Sequence, residues 1–553
     1  MSGTPFKKAL SVWIAEELTA LGASTSAAEV ENSLEIPPEE KFGDYSTHLV
    51  LKLSKSLKKN PRAIAEELRG KLEASLTASV LKGRIEKIAV EGPGFVNFHL
   101  SAKEHAQVLV DIRKKGDGFG KPSMKPKKIL LEFVSANPTG PLTVAHGRQA
   151  ALGDALARIL RFCGHDVTTE YYNNDEGVQI TTLGKSLQFR IAELAGARET
   201  MPENYYQGDY LIDIARELVK KSPKPEFEEC RVFARDAIME GIKVDLADFD
   251  VHFDNYYSQE ALGKSGKVEK TLETLKKMGK TKDEDGATWL KSTEYGDDKD
   301  RVLVKSDGNL TYLAPDIAYH HEKFVRGFEE LIDILGPDHH GYISRLKASQ
   351  AALGHDPERV RVLIAQLVTL FQDGQEVRMS TRAGQFITLR QILEEVGKDA
   401  GRFFFVMRKF DAHLDFDLAL AKSQTPENPA FYIQYAHARI ESIKTKAREE
   451  GPKLPGRPEE SVAKLGNPSE RRVLAILSQF ESALEGAERT LEPYRLVPYL
   501  QELASSFHKF YADNRVVSED AVLTEARLFL IEGVQQVLRT GLRLLGVSAP
   551  LKM

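Results

Sequence analysis

Residues 131–160 read LEFVSANPTGPLTVAHGRQAALGDALARIL, and the residue among them best suited to chemistry is His146, set where a Gly/Pro-rich loop gives way to a helical pattern. Leu152, Leu156, Ile159 and Leu160 share one helical face, and Ile129, Leu130, Leu131, Phe133 and Val134 make the preceding segment a buried strand. A helix N-terminus at the carboxyl end of a parallel strand carries unpaired N–H groups and the positive end of the helix dipole, so it is a place to hold phosphate. There an imidazole can donate to phosphate oxygens as negative charge builds in a displacement. A histidine at a helix start also serves as a plain cap, and the sequence leaves the two roles evenly weighted. Glu132 interrupts the apolar strand just before the loop. A charge there needs a partner, which either a ligand or a structural salt bridge supplies. Tyr312 and Asp316, four apart in NLTYLAPDIAYH, share a face if that segment is helical, with helix capping the alternative for Asp316.

The elements that must hold these residues come from a chain of 553 residues, too long for one core and sized for three or four domains. Hydrophobic content of 42% with 28% charged residues is ordinary globular composition, and no apolar run is long enough to span a membrane. The opening MSGTPFKKALSVWIAEEL has acidic residues and a helical period where an export signal would be apolar, so a cytoplasmic location is expected. Cys163 and Cys230 form no C-x-x-C site and read as free thiols. The net charge of -5 excludes a uniformly basic protein, yet residues 51–87 carry ten Lys/Arg against four Glu. That excess suits either a phosphate-facing patch or, more commonly, a solvated helix face.

KKGDGFGKPSMKPKK reads as a linker near residue 120. Beyond it, KKILLEFVSA, HDVTTEYYN, RVLVKS, LIDILG and RVRVLIAQLV are strand candidates alternating with helical segments, the pattern of a parallel sheet with crossover helices. After about residue 390 the strand signals stop and long amphipathic segments predict a helical bundle. In that bundle Tyr432, Tyr435 and Arg439, three and four apart on one helix, are able to stack and clamp splayed bases, although an aromatic stripe of this spacing is more often core.

SANPTGPLTVAHGRQAALGDAL resembles the first signature of the class I aminoacyl-tRNA synthetases, in its arginyl version in particular. VRMSTRAGQFITLRQILEEVG is similar to the second signature loop, NPAFYIQYAHARI to the start of the anticodon-binding domain, and FGDYSTHLVLKLSK with EGPGFVNFHL to the extra N-terminal domain of arginyl enzymes. The resemblance implies an α/β, Rossmann-type parallel-sheet catalytic domain at 119–395 with a charged insertion around 185–300. It implies an α+β tRNA-contacting domain at 1–118 and an all-α anticodon-binding bundle at 396–553. The implied reaction joins arginine to ATP, releases pyrophosphate and passes the arginyl group to the terminal ribose of tRNA(Arg), with Mg2+ as cofactor in a monomer.

The residues implied follow the same match. His146, Arg378, Ser380 and Arg382 act on the triphosphate, with Pro138, Thr143, Ala145, Gly147 and Met379 around ATP. Glu132, Ser135, Asn137, Tyr312, Asp316, Asp338 and His339 line the arginine pocket, for which a guanidinium fork calls for carboxylates and an aromatic wall. Phe42, Asp44, Tyr432, Tyr435, Arg439 and Tyr511, with Met553 at the C-terminus, face tRNA. Two departures stand out: the first signature reads Thr143-Val144-Ala145-His146 where His-x-Gly-His is usual, and Thr381 occupies the position of the second-signature lysine. A compensating lysine is absent too, since Gly140 stands at its position, so Arg378 or Arg382 is left to supply that cation. These departures keep open a non-catalytic tRNA-binding descendant, and a class I relative for another amino acid is the remaining alternative.

Overall fold

The computed structural model describes residues 6–35, 37, 40–377 and 387–553. Strands β1 (Lys128–Glu132), β2 (Asp166–Asn173), β3 (Asn255–Ser258), β4 (Glu330–Leu335) and β5 (Val360–Ile364) form one parallel sheet in the order β5-β4-β1-β2-β3. From β1 the chain builds outward through β2 and β3, then returns to add β4 and β5 on the other side. The strand order therefore reverses at β1, and the crevice beyond the carboxyl ends of β1 and β4 is where an open α/β sheet binds its ligand.

Helix α1 (Val144–Cys163) follows β1 and is buried on nearly all sides; α2 (Leu313–Val325) precedes β4, and α3 (Leu389–Val406) leads into the bundle. Close packing of α1 depends on glycine. A Cβ on Gly153 would come 2.3 Å from the Phe133 ring, and one on Gly147 would come 2.9 Å from Leu389. Two buried guanidinium groups then fix the helix from either end. Arg148 donates to the carbonyls of Gln366, Lys409 and Ala412, each at 2.8 Å. Arg402 on α3 pairs with Asp154 of α1 and donates to Phe249 O at 2.9 Å and Leu545 O at 3.3 Å.

The bundle, including α4 (Pro429–Glu450), α5 (Leu496–Asp513) and α6 (Ala521–Leu544), shares one continuous core with the sheet domain. The N-terminal unit has its own core, around helix Phe6–Ala20 and a four-stranded antiparallel sheet, and docks on the bundle through Tyr45 Oη and Ser478 Oγ, 3.1 Å apart. Among the described residues no helix is long and apolar enough to cross a membrane.

Two strand expectations differ from what is found. Arg301–Val304 lies in a separate three-stranded antiparallel sheet with Ala287–Leu290 and Thr281–Glu284, because its half-exposed residues cannot fill a position covered on both faces. Leu414–Asp417, beyond the point where strand signals stop, pairs in parallel with Val368–Gln372. Gly153→Ala should cost about 1–3 kcal/mol through overpacking against Phe133. Thermal unfolding followed by circular dichroism should therefore show a lowered midpoint, and an unchanged midpoint would contradict the close approach.

Candidate active site

Thr143 caps α1 and His146 is its third residue. The Thr143 backbone N–H donates to His146 Nδ1 at 3.1 Å, and Thr143 Oγ1 lies 3.2 Å from the same nitrogen. A nitrogen that accepts from a backbone N–H carries no proton, so the neutral ring carries its proton on Nε2. Burial pushes the imidazole down to about 4 from its ordinary 6.5. His146 is thus both the cap and a neutral donor, so the two roles read from the sequence coexist. Ala145 is half-buried, while Pro138 and Gly147 are buried.

Arg378, Met379, Ser380 and Arg382 lie outside the described residues, but both flanks of their segment are anchored. Val377 N–H donates to Leu370 O at 2.8 Å. On the other side Val144 N–H donates to Ile387 O at 3.1 Å, Leu389 N–H donates to Leu142 O at 2.8 Å, and Thr143 bridges Thr388. The second loop accordingly ends against the residues that cap α1.

Glu132 closes β1, and register puts it level with Asp333 on β4 and Glu170 on β2. Adjacent strands lie about 4.8 Å apart, so three buried carboxylates form a row across the sheet. Helix α2 covers it with the matching cations. Lys323, fully buried, donates to Glu132 Oε2 at 2.6 Å and to Asp333 Oδ1 at 2.8 Å. Arg326 grips Glu170 with both terminal nitrogens at 2.6 and 2.8 Å. Tyr319 Oη lies between Glu132 Oε2 (2.9 Å) and Glu170 Oε1 (2.7 Å), and His320 Nε2 is 3.0 Å from Asp333 Oδ2. Burial acts to raise Asp333, but Lys323 and His320 outweigh it and hold the carboxyl well below its usual range. Burial likewise acts to lower the Lys323 ammonium, and the surrounding carboxylates hold it above its ordinary value. The partner of Glu132 in this structure is therefore a lysine, the salt-bridge alternative.

Asp316 is different. It sits in the first turn of α2, and Tyr342 Oη donates to its Oδ2 at 2.6 Å. Among the described residues no hydrogen bond reaches its Oδ1, and burial raises its carboxyl above the ordinary value despite Tyr342. A half-buried carboxylate with one oxygen unpaired is a seat for a cation.

Between Glu132 and the loop, Val134 (φ 67°) and Ser135 (φ 41°) are left-handed. A β-branched residue in that region costs about 1–3 kcal/mol, a cost tolerated where surrounding contacts fix the turn. Those contacts come from Ser135 Oγ, which donates to Glu132 Oε1 at 3.0 Å and accepts from Tyr172 N–H at 3.0 Å. Asn137 Nδ2 donates to Gln179 Oε1 at 2.7 Å, leaving its carbonyl oxygen for another partner. Asp338 and His339 are exposed in the short helix Pro337–Tyr342 beyond β4, 3.5 Å apart. Tyr312 is 83% exposed at the α2 N-cap, outside the buried row.

Sequence reasoning missed Asp333, Glu170, Tyr319, Lys323, Arg326, Tyr342 and Gln179. Some signal was there: Asp333 interrupts an apolar strand as Glu132 does, and Tyr319 and Lys323 follow Asp316 at helical spacing.

On the bundle, Tyr435 stacks on Phe431 with centroids 5.8 Å apart, and Tyr432 packs on His508 at 4.7 Å. The Arg439 guanidinium lies over Tyr435 (4.5 Å) and over Tyr511 (5.1 Å). These rings are half-buried or, for Tyr511, exposed, and Tyr432 also packs against the core. Met553 is exposed at the C-terminus. In the N-terminal unit Phe42 is half-buried, whereas Asp44 points inward, accepting Leu100 N–H at 2.7 Å beside His105.

Three family models match in order: the arginyl-tRNA synthetase N-terminal domain over residues 8–100, the catalytic domain of class I (R) tRNA synthetases over 107–409, and the DALR anticodon-binding domain over 433–553. Arginine–tRNA ligase of Syntrophotalea carbinolica is 46% identical over 532 residues, covering 95% of each chain. That of Staphylococcus carnosus is 45% identical over 550 residues, covering 97% of this chain and 98% of its own. Arginyl-tRNA synthetase of Thermus thermophilus, 24% identical, superposes with a TM-score of 0.77 over 99% of this chain and 100% of its own, a likeness of fold.

The state of His146 is directly measurable. Between pH 6.5 and 4 the unfolded chain takes up a proton that the native ring refuses, so this contribution to stability is complete above 6.5 and is lost as pH falls toward 4. Imidazole 15N resonances should report the neutral, Nε2-protonated tautomer from pH 7.5 down to 5.5. A ring titrating near 6.5 would contradict the assignment.

Proposed function

Because this chain belongs to the arginyl-tRNA synthetase family, we propose that the site just described activates arginine with ATP and that the chain passes the arginyl group to tRNA(Arg). The observation that carries the reading is Asp316, a half-buried carboxylate with one oxygen open, at the same sheet edge as the start of α1. A guanidinium supplies the charge that Asp316 lacks, with Glu132 Oε1 adding a second acceptor. Asn137, its Nδ2 committed to Gln179, turns its carbonyl oxygen to the α-ammonium. Tyr312, Asp338 and His339, on segments flanking the crevice, close over the bound amino acid.

The substrate carboxylate attacks the α-phosphorus in line, and pyrophosphate leaves. This needs positioning and charge stabilisation, with no covalent help from the protein. His146 Nε2–H donates to a phosphate oxygen, and the positive end of the α1 dipole adds to the field. Pro138, Thr143, Ala145 and Gly147 shape the nucleotide seat. Arg378, Met379, Ser380 and Arg382 act on the triphosphate, the arginines supplying the cation that Thr381 cannot. Among the described residues no cluster of three or more His, Cys, Asp or Glu is placed to hold a metal. Mg2+ fits as an ion carried by ATP, where it neutralises phosphate charge with phosphate and water as ligands. A ribose hydroxyl of the tRNA 3′-terminal adenosine then attacks the adenylate carbonyl carbon, and AMP leaves.

The stacked Tyr432, Tyr435, Arg439 and Tyr511 suit splayed anticodon bases, with Met553 alongside, and Phe42 serves the N-terminal tRNA contact while Asp44 braces its loop. Two buried free cysteines suit a reducing compartment, in keeping with a cytoplasmic enzyme, and we take the active form to be the monomer.

Arginine-dependent ATP–pyrophosphate exchange, assayed with and without tRNA, tests the reading. His146→Ala should lower the rate about 100-fold or more, the loss typical of a donor aimed at developing charge. No exchange from a folded protein that still binds tRNA would favour the non-catalytic alternative. Arg439→Ala should weaken tRNA binding by about 1–3 kcal/mol, as loss of a stacking platform does, without changing the KM for arginine. A changed arginine KM would count against the separation of the two surfaces.

A further inference from the structure

Lys323, in the sheet row, has no assigned role in substrate recognition although it touches Glu132. Lys323 is fully buried, and its ammonium sits where two carboxylates on neighbouring strands would otherwise repel each other. It does more than balance charge. Both Lys323 Nζ and Tyr319 Oη address the same oxygen of Glu132, Oε2, whereas Oε1 receives only Ser135 Oγ among the described residues. A carboxylate oxygen offers two lone-pair sites, so Oε1 keeps one acceptor site and Oε2 keeps none.

We propose that Lys323 is a positioning residue for amino-acid recognition: by claiming Glu132 Oε2 it fixes which oxygen, Oε1, is presented to the guanidinium of the substrate. This rests on the reading of the crevice as an arginine pocket. Tyr342 does the same for Asp316 from the opposite side, holding Oδ2 and leaving Oδ1. The pocket then offers a guanidinium two single acceptor oxygens on two immobilised carboxylates. A fixed pair of acceptors suits a planar fork of donors better than it suits the compact point charge of an ammonium, which gives the pocket its preference for arginine over lysine. Asp333 and His320 hold Lys323 from behind, with Asp333 Oδ1 at 2.8 Å, so the ammonium cannot swing into the pocket and compete with the substrate.

A positioning role predicts a result that a merely structural one does not. In Glu132→Gln, Lys323 would draw the amide oxygen to itself and turn the NH2 group toward the pocket, donor against guanidinium donor. The KM for arginine in pyrophosphate exchange should rise about 100-fold, with the KM for ATP unchanged. Adding Lys323→Met frees the amide to flip its oxygen toward the substrate. The double variant Glu132→Gln/Lys323→Met should therefore bind arginine better than the single variant, recovering about tenfold. If Lys323 only stabilises the fold, the double variant will have an arginine KM equal to or above that of Glu132→Gln, and the proposal is overturned. Should the double variant not fold, as judged by circular dichroism and tRNA binding, Glu132→Leu replaces it. Only Gln turns a donor inward, so the KM for arginine should be higher for Gln than for Leu, and equal values overturn the proposal. A wild-type protein with no arginine-dependent exchange would instead reject the arginine reading itself.

Discussion

Three carboxylates cannot lie side by side across a sheet interior unless cations lie with them, and the catalytic domain is arranged around that constraint. Asp333, Glu132 and Glu170 come from strands far apart in sequence and reach one level only because β4, β1 and β2 pair in a single register. A slip of one residue in either pairing would turn a carboxylate to the opposite face and take it from Lys323 or Arg326. Breaking such a pair typically costs about 3–5 kcal/mol. The charges thus specify the register, and the register in turn sets α2 with Asp316 at the crevice mouth.

The second fixed point is the start of α1. Its cap uses the His146 imidazole as acceptor for the Thr143 N–H, so the bond that finishes the helix also selects the tautomer with an outward donor. Glycines at 147 and 153 let the helix approach its neighbours, and Arg148 and Arg402 tie it to backbone carbonyls of the sheet domain, of the segment after Asp248 and of the C-terminal tail. The halves proposed to hold phosphate and guanidinium are built on different elements, and the sheet edge between β1 and β4 sets the distance between them.

Much of this was legible in the sequence. The strand, loop and helix around His146, the parallel sheet and the helical bundle follow from periodicity, and the signatures carry the family. What escaped has physical reasons. β3 and the Leu414–Asp417 strand are four residues each, too short for a pattern to outweigh the helical segments around them. Glu132 was visible as a charge in an apolar strand, but periodicity cannot say which charge answers it. Lys323 lies 191 positions away and meets it only through the fold. Tyr312 and Asp316 share a spacing, yet the helix begins one residue after Tyr312, so the backbone separates an exposed ring from a half-buried carboxylate.

If the row across β4, β1 and β2 is balanced before substrate arrives, the guanidinium enters at Asp316 and Glu132 Oε1 without displacing Lys323. A crystal structure with arginine bound tests this most directly. Guanidinium nitrogens are expected within about 3 Å of Asp316 Oδ1 and Glu132 Oε1, with Lys323 still on Glu132 Oε2. A guanidinium seated away from Asp316, or one that has driven Lys323 off Glu132, would contradict it.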